Sequence, residues 1–246
     1  MASSPTALIV GAGQGIGLGF VRRFLESDRA DKLYATYRDP QSPLLEISDP
    51  RLHCLPMDIT DEAQIEAIAQ TIKTEATKLY TVINCVGVLH DGEMQPEKSL
   101  RHLNTEQLLH YFQVNSIGAV LLAKHMQPLL KHDQRSVLAT ISAKVGSIGD
   151  NRLGGWYGYR ASKTALNMFM RTVAIEYRRT CPRAIVVTLH PGTTDTELSR
   201  PFQQNVPPEK LFTPDRTVQQ LLTVIDHLQE SDSGEFFSWD GSRVPW

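Results

Sequence analysis

The chain has few of the features that would settle its class early. Its 246 residues include only three cysteines, Cys54, Cys85 and Cys181. An odd number without C-x-x-C spacing excludes a disulfide framework and reads as buried thiols in a reducing compartment. The eight histidines lack metal-ligand spacing, so no metal site is expected. No apolar run approaches the ~18 residues that span a bilayer. Met1 to Thr6 lacks the basic stretch and apolar core of a signal peptide. A cytoplasmic protein is the expectation. The formal net charge of −2 gives no excess of basic residues, so neither nucleic acid nor an anionic membrane is expected as a partner. There is no internal repeat and no linker. The length suits one large α/β domain or two small ones.

What is present alternates between apolar runs and helical spacing. Ala7–Val10, Lys32–Arg38, Leu52–Leu55, Tyr80–Asn84, Ser136–Ser142, Ala184–Leu189 and Glu235–Ser238 read as strands, most of them short runs buried on both faces. Between them, Leu18–Ser27, Asp61–Thr77, Thr105–Leu130, Gly158–Arg179 and Thr217–Leu228 carry apolar residues at helical spacing. That alternation predicts a single α/β domain over 1–246: a doubly wound, Rossmann-type parallel sheet of about seven strands flanked by helices.

The first strand runs into Gly11-Ala12-Gly13-Gln14-Gly15-Ile16-Gly17 and then a helix. Free N–H groups and the positive helix end at such a turn favour a phosphate, and glycine lets the backbone approach it. Ile16 breaks G-x-G-x-x-G; Gly11, Gly15 and Gly17 fit G-x-x-x-G-x-G. The second strand ends in Thr36, Tyr37 and Arg38, where an NAD-binding unit usually has an acid for the ribose. An Arg there points to a 2′-phosphate, hence NADP(H) in preference to NAD(H); Asp39 could still reach a ribose. Asp58 either accepts from an adenine amino group or helps cap the helix that starts at Asp61. Asn84 and Gly87 fall where a strand's C-terminal end meets the ligand crevice, as does the turn His190–Thr196. The polar loops 88–103 and 193–213 are expected to shape a substrate pocket, the proline-bearing 201–213 as a lid. Asn115, inside a helix, is costly unless its amide is hydrogen-bonded.

Tyr159 and Lys163 lie one helical turn apart. An ammonium there favours the phenolate, which makes Tyr-x-x-x-Lys a chemically sensible acid/base unit. Trp156 and Tyr157, just before it, either line the pocket or pack the helix. His190 reads as a packed strand residue.

With these residues in view, the chain resembles the classical short-chain dehydrogenase/reductase family over essentially its whole length. Gly11-x-x-x-Gly15-x-Gly17 matches its cofactor turn, and Asn84-x-x-Gly87 its N-x-A-G motif, with Val86 for Ala. Asn115, Tyr159, Lys163 and Pro191-Gly192 match its relay asparagine, catalytic pair and nicotinamide-side turn. Gly146–Asn151, Gly154-Gly155 and Asp240-Gly241-x-x-x-Pro245-Trp246 narrow the likeness to the subgroup of sniffer-type carbonyl reductases and C-factor signalling proteins.

The resemblance implies an NADPH-dependent reductase of a small carbonyl. Tyr159 would be the proton donor, Lys163 would lower its pKa and bind the ribose, and Asn115 would hold a relay water. The cofactor contacts would come from Gly11, Gln14, Gly15, Ile16, Gly17, Arg38, Asp58, Ile59, Asn84, Val86, Gly87, Tyr159, Lys163, Pro191, Gly192, Thr194 and Thr196. Helices 105–130 and 158–179 would form a homodimer or homotetramer. A dinucleotide-binding regulator of C-factor type with little turnover is the alternative.

The chain departs from the family in three places. Val10 stands where the family has Thr, and Gln14 where NADP-dependent members have a basic residue. Ser142-Ala143 stands for Ser-Ser, which leaves Ala143 at the position of the usual catalytic serine. Ser142 is the nearest hydroxyl and is taken as the catalytic one, with Ser147 as the fallback.

Overall fold

A computed structural model describes residues 5–27, 29–92 and 94–246; the reading of Met1 to Ser4 lies outside them. Seven strands form one parallel sheet: β1 (Thr6–Val10), β2 (Lys32–Tyr37), β3 (Leu52–Pro56), β4 (Thr81–Asn84), β5 (Ser136–Ile141), β6 (Ala184–His190) and β9 (Phe236–Ser238). Their order is β3-β2-β1-β4-β5-β6-β9, and every neighbouring pair is parallel. A separate short ladder pairs β7 (Thr193–Thr194) with β8 (Leu211–Phe212). The sequence shows no strand signal for either. That ladder ties the segment expected to be a lid back to the crevice.

The helices are α1 (Gly15–Glu26), α2 (Glu62–Glu75), α3 (Thr105–Phe112), α4 (Gly118–Leu130), α5 (Tyr157–Thr180) and α6 (Pro214–His227). Alternate strand residues divide the core between the two faces of the sheet, because successive side chains in a strand point opposite ways. Leu8, Val82, Leu138 and Val186 pack with residues of α2, α4 and α5. Ile9, Ile83, Val137 and Val187 pack with α1 and α6. Truncating one of these buried aliphatics to Ala costs about 2–5 kcal/mol, so the strand ends are rigid platforms.

The stretch 105–130 is not the uniform helix the spacing suggests. Gln113–Ile117 forms a turn of π-helix between α3 and α4. Single π-turns inside helices recur at functional sites, and this one contains Asn115. Cys181 is buried, as expected, but Cys54 and Cys85 are only half-buried.

The strand order reverses between β1 and β4, and a ligand crevice opens at such a switch point. Val10 at the end of β1 pairs with Asn84 at the end of β4, and Asn84 in turn pairs with Thr140 of β5.

Candidate active site

The glycine turn between β1 and α1 has no room for side chains. Gly11 adopts φ +75°, and a Cβ there would lie 2.7 Å from Val86 Cγ2. A Cβ on Gly17 would lie 2.1 Å from the Gly11 oxygen, and one on Gly15 (φ +54°) 3.1 Å from Thr196 Cγ2. The turn is anchored from below: Gly11 N donates to Thr36 Oγ1 (3.0 Å) and Ala12 N to Thr36 O (2.7 Å). Gln14 is the N-cap of α1 and its side chain makes no capping bond, so the first N–H groups of α1 remain available to an anion. A bare backbone surface of this shape fits a dinucleotide pyrophosphate. Ile16, beside it, packs partly into the core.

Arg38 is exposed at the end of β2. The Asp39 carboxylate is turned back onto its own loop, accepting from Gln41 N at 2.8 Å. Asp61, not Asp58, caps α2, accepting from Ala63 N and Gln64 N. Asp58 accepts from Thr60 N (2.9 Å) and Thr60 Oγ1 (2.7 Å). Burial pushes the Asp58 carboxyl up, but the Thr60 bonds, with Arg38 and His110 nearby, outweigh this and hold it below the usual range. Ile59 is buried against Gly118, where a Cβ would lie 2.6 Å from the Ile59 oxygen. Asn84 Oδ1 accepts from Val86 N at 3.1 Å and so sets the turn that leads to Gly87.

The opposite wall is the turn after β6. Gly192 adopts φ +74°, and a Cβ there would lie 2.6 Å from the Phe212 ring. Thr194 Oγ1 pairs with Thr217 Oγ1 at 2.8 Å, while Thr196 lies against Gly15. Pro191 is buried at the start of this turn. Gly11 against Val86 and Gly15 against Thr196 bring the turns after β1, β4 and β6 together.

Tyr159 and Lys163 rise from α5 beside these turns. Lys163 is 3% exposed, donates to Ile141 O at 3.1 Å, and holds Nζ 5.9 Å from the centre of the Tyr159 ring. Gly87 makes room for it: a Cβ there would lie 3.2 Å from Lys163 Nζ and 3.4 Å from Asn115 Oδ1. Burial pulls the Lys163 ammonium down to about 8, with Cys85 opposing. Burial also pushes the Tyr159 phenol up, and Tyr111 acts in the same direction. This differs from the expected lowering of the phenol by the lysine. With the protein's own groups alone, desolvation outweighs an ammonium held this far away, and burial favours the neutral phenol.

Asn115 is a structural tie rather than a free amide. Its Oδ1 accepts from Val88 N (2.8 Å), and its Nδ2 donates to Val88 O (2.9 Å) and Ser162 Oγ (3.0 Å). Through these bonds the side chain pins the start of the 88–103 loop.

Ser142 requires a correction. It is buried and donates to Asn167 Oδ1 at 2.7 Å, away from Tyr159. The residue that packs with Tyr159 is Ala143. One step along extended chain reverses the side-chain direction, so the nearest hydroxyl in sequence points the wrong way in space. Ser147 is no substitute: it is buried and accepts from Asp150 N at 3.2 Å.

Tyr159 is enclosed by aromatic edges. Ring centres lie 6.2 Å from Tyr111 and 6.2 Å from Trp156, and Trp156 lies 5.0 Å from Phe202 of the segment after β7. Trp156 packs against Tyr159 and Phe202, in a left-handed conformation (φ 52°, ψ 44°) as N-cap of α5. His190 is a packed residue whose Nδ1 accepts from Lys144 N at 3.2 Å. Among the described residues no His, Cys, Asp and Glu group could hold a metal ion, and no helix is long and apolar enough to cross a membrane.

Comparison with known proteins agrees with this geometry. The model of the family described as short chain dehydrogenase matches residues 5–207. A crystal structure of NADPH-bound carbonyl reductase from chicken fatty liver superposes with a TM-score of 0.87 at 29% identity, covering 99% of each chain. The C-signal protein of Myxococcus xanthus is 36% identical over 136 residues, which is 55% of this chain and 76% of that protein. A benzil reductase of Saccharomyces cerevisiae that forms (S)-benzoin is 30% identical over 212 residues, 82% of this chain and 76% of its own. The glycine crevice and the tyrosine-lysine helix are thus set on a shared fold: the chain belongs to the short-chain dehydrogenase family and is an oxidoreductase.

Proposed function

We propose that the protein is an NADPH-dependent carbonyl reductase whose substrates carry an aromatic or comparably bulky apolar group beside the carbonyl. The observation that carries the reading is Tyr159 itself: a buried phenol with Lys163 one turn away, packed in an aromatic cluster with Tyr111, Trp156 and Phe202. The NADPH-bound chicken reductase and the yeast benzil reductase support it from outside the chain.

NADPH would be held by the turn Gly11–Gly17 at its pyrophosphate, by Arg38 at the 2′-phosphate and by Asp58 and Ile59 toward the adenine. Val86, Gly87, Pro191, Gly192, Thr194 and Thr196 would line the rest. When bound it supplies the hydride. The protein's own groups handle the proton. Tyr159 donates to the carbonyl oxygen as negative charge develops there, and accepts in the reverse direction. The Lys163 ammonium offsets the phenolate left behind, an effect that grows with burial because the local dielectric is low. Ser162 and Asn115 keep the 88–103 loop against α5. The position of the second donor is filled by Ala143, so the substrate oxygen relies on Tyr159 alone. The methyl there adds apolar surface beside the cluster of Tyr111, Trp156 and Phe202.

Fluorescence titration with NADPH and NADH, followed by a turnover panel of aryl aldehydes, aryl ketones and aryl diketones, tests the reading. Tighter NADPH binding and turnover that favours aryl over small aliphatic carbonyls are expected. Cofactor binding with no turnover across the panel would contradict it and favour a dinucleotide-binding regulator.

A further inference from the structure

One buried acid takes no part in the chemistry above. Glu97, in the 88–103 loop, is 2% exposed. Its backbone oxygen accepts from Trp156 N at 2.5 Å, and its carboxyl Oε2 accepts from Gly158 N at 3.1 Å. These two partners are the N-cap and second residue of α5; the next residue is Tyr159. The approach requires glycine at 158, since a Cβ there would lie 2.9 Å from Glu97 Oε1 and 2.4 Å from Tyr111 Cδ2. The other carboxyl oxygen, Oε1, is buried with no hydrogen-bond partner. A shorter cap such as Ser or Asp satisfies a helix N-terminus without leaving an acceptor buried and unpaired. Trp156 is also held where a bulky side chain is rarely found, at positive φ. An unpaired acceptor and a strained tryptophan on the same two-residue step mark a constraint that serves geometry more than stability.

We propose that Glu97 is a positioning residue for the reduction. It fastens the first turn of α5 to the substrate loop, and so fixes the direction of the Tyr159 phenol and the Trp156 ring. The proposal rests on the reductase reading. Glu97 acts through the backbone of residues 156–158, not by contact with substrate or cofactor.

The test compares the full-length wild type with Glu97→Gln, Glu97→Asp and Glu97→Ala. Amide hydrogen exchange across 155–163 reads the clamp without any substrate. Turnover per mole of folded, NADPH-binding protein reads its consequence. In Glu97→Ala, exchange at 156–160 is expected to speed up by about 10-fold or more, and kcat to fall by about 10- to 100-fold, as displaced catalytic groups do. NADPH affinity should stay within about twofold, because the glycine turn is untouched. Glu97→Gln keeps an acceptor for Gly158 N and should restore kcat to within about threefold of wild type. Should the Ala variant fail to fold, Glu97→Asp carries the test, because its shortened carboxyl is withdrawn from Gly158. Faster exchange with unchanged kcat, or no change in either, would overturn the proposal. A wild type that shows protected 156–160 amides yet reduces no carbonyl would defeat the reductase reading instead.

Discussion

Ala143→Ser is the most discriminating change at this site, because it adds a function rather than removing one. Ala143 is half-buried, extended (φ −146°, ψ 145°), and packs in the cluster around Tyr159. Serine adopts that backbone freely, and a single oxygen at a half-buried position should change stability by no more than about 0.5 kcal/mol. A hydroxyl there supplies a second donor to the substrate oxygen. A hydrogen bond to a charged group contributes about 1.5–3 kcal/mol, and removal of one such donor elsewhere costs about 10²–10³ in kcat. Because the pocket has not been shaped around this donor, the lower end applies: kcat should rise by about 10-fold, equivalent to ~1.4 kcal/mol. The assay is the loss of NADPH absorbance with an aryl ketone at saturation. Ser142→Ala is the control. It removes a buried donor to Asn167, so it should cost about 1–3 kcal/mol of stability and leave kcat per folded enzyme unchanged. If Ala143→Ser leaves kcat flat and Ser142→Ala abolishes it, the assignment of the two side chains to opposite faces is wrong.

Arg38→Ala should weaken NADPH by about 10-fold while leaving NADH nearly unchanged, because one exposed charge-assisted contact to the 2′-phosphate is lost; fluorescence titration measures both. Gly17→Ala places a methyl 2.1 Å from the Gly11 oxygen. Backbone cannot yield there, so NADPH binding should vanish and thermal unfolding should show a loss of about 1–3 kcal/mol or more. The buried Lys163, pulled down to about 8, sets opposite trends in activity and stability. As pH rises through about 8 the ammonium is lost and kcat should fall. Over the same range the folded state binds fewer protons than the unfolded, whose lysine titrates near ~10.4, so this group's contribution to stability rises with pH. Lys163→Met should remove both slopes; a wild-type kcat flat to about pH 10 would show that the lysine keeps an ordinary pKa.

The seven main strands were readable because each is a compact apolar run between turn residues. Their order was not, since nothing local tells β1 that its second neighbour is β4. The π-turn at Gln113–Ile117 carries no glycine or proline to announce it; Asn115, out of place in a uniform helix, was the only sign. The short β7 and β8 pair through backbone alone and leave no pattern. The glycine turn, Tyr159 and Lys163 were legible because their spacing is itself the chemistry. Ser142 was misjudged by weighing distance in sequence over strand alternation, which would have turned it away from Tyr159. Glu97 was missed because a buried glutamate in a polar loop has no periodic signature. Its burial depends on Gly158, far along the chain, leaving space for a carboxyl.

Tyr159→Phe tests the central claim most directly. Removing one hydroxyl from a ring that keeps its packing against Tyr111 and Trp156 should leave NADPH affinity and thermal stability within about twofold and 1 kcal/mol of wild type. Turnover of an aryl carbonyl should fall by about 10²-fold or more, as loss of a general acid does. A Phe variant that still reduces that carbonyl at the wild-type rate would remove the phenol from the reaction, and the proposed mechanism with it.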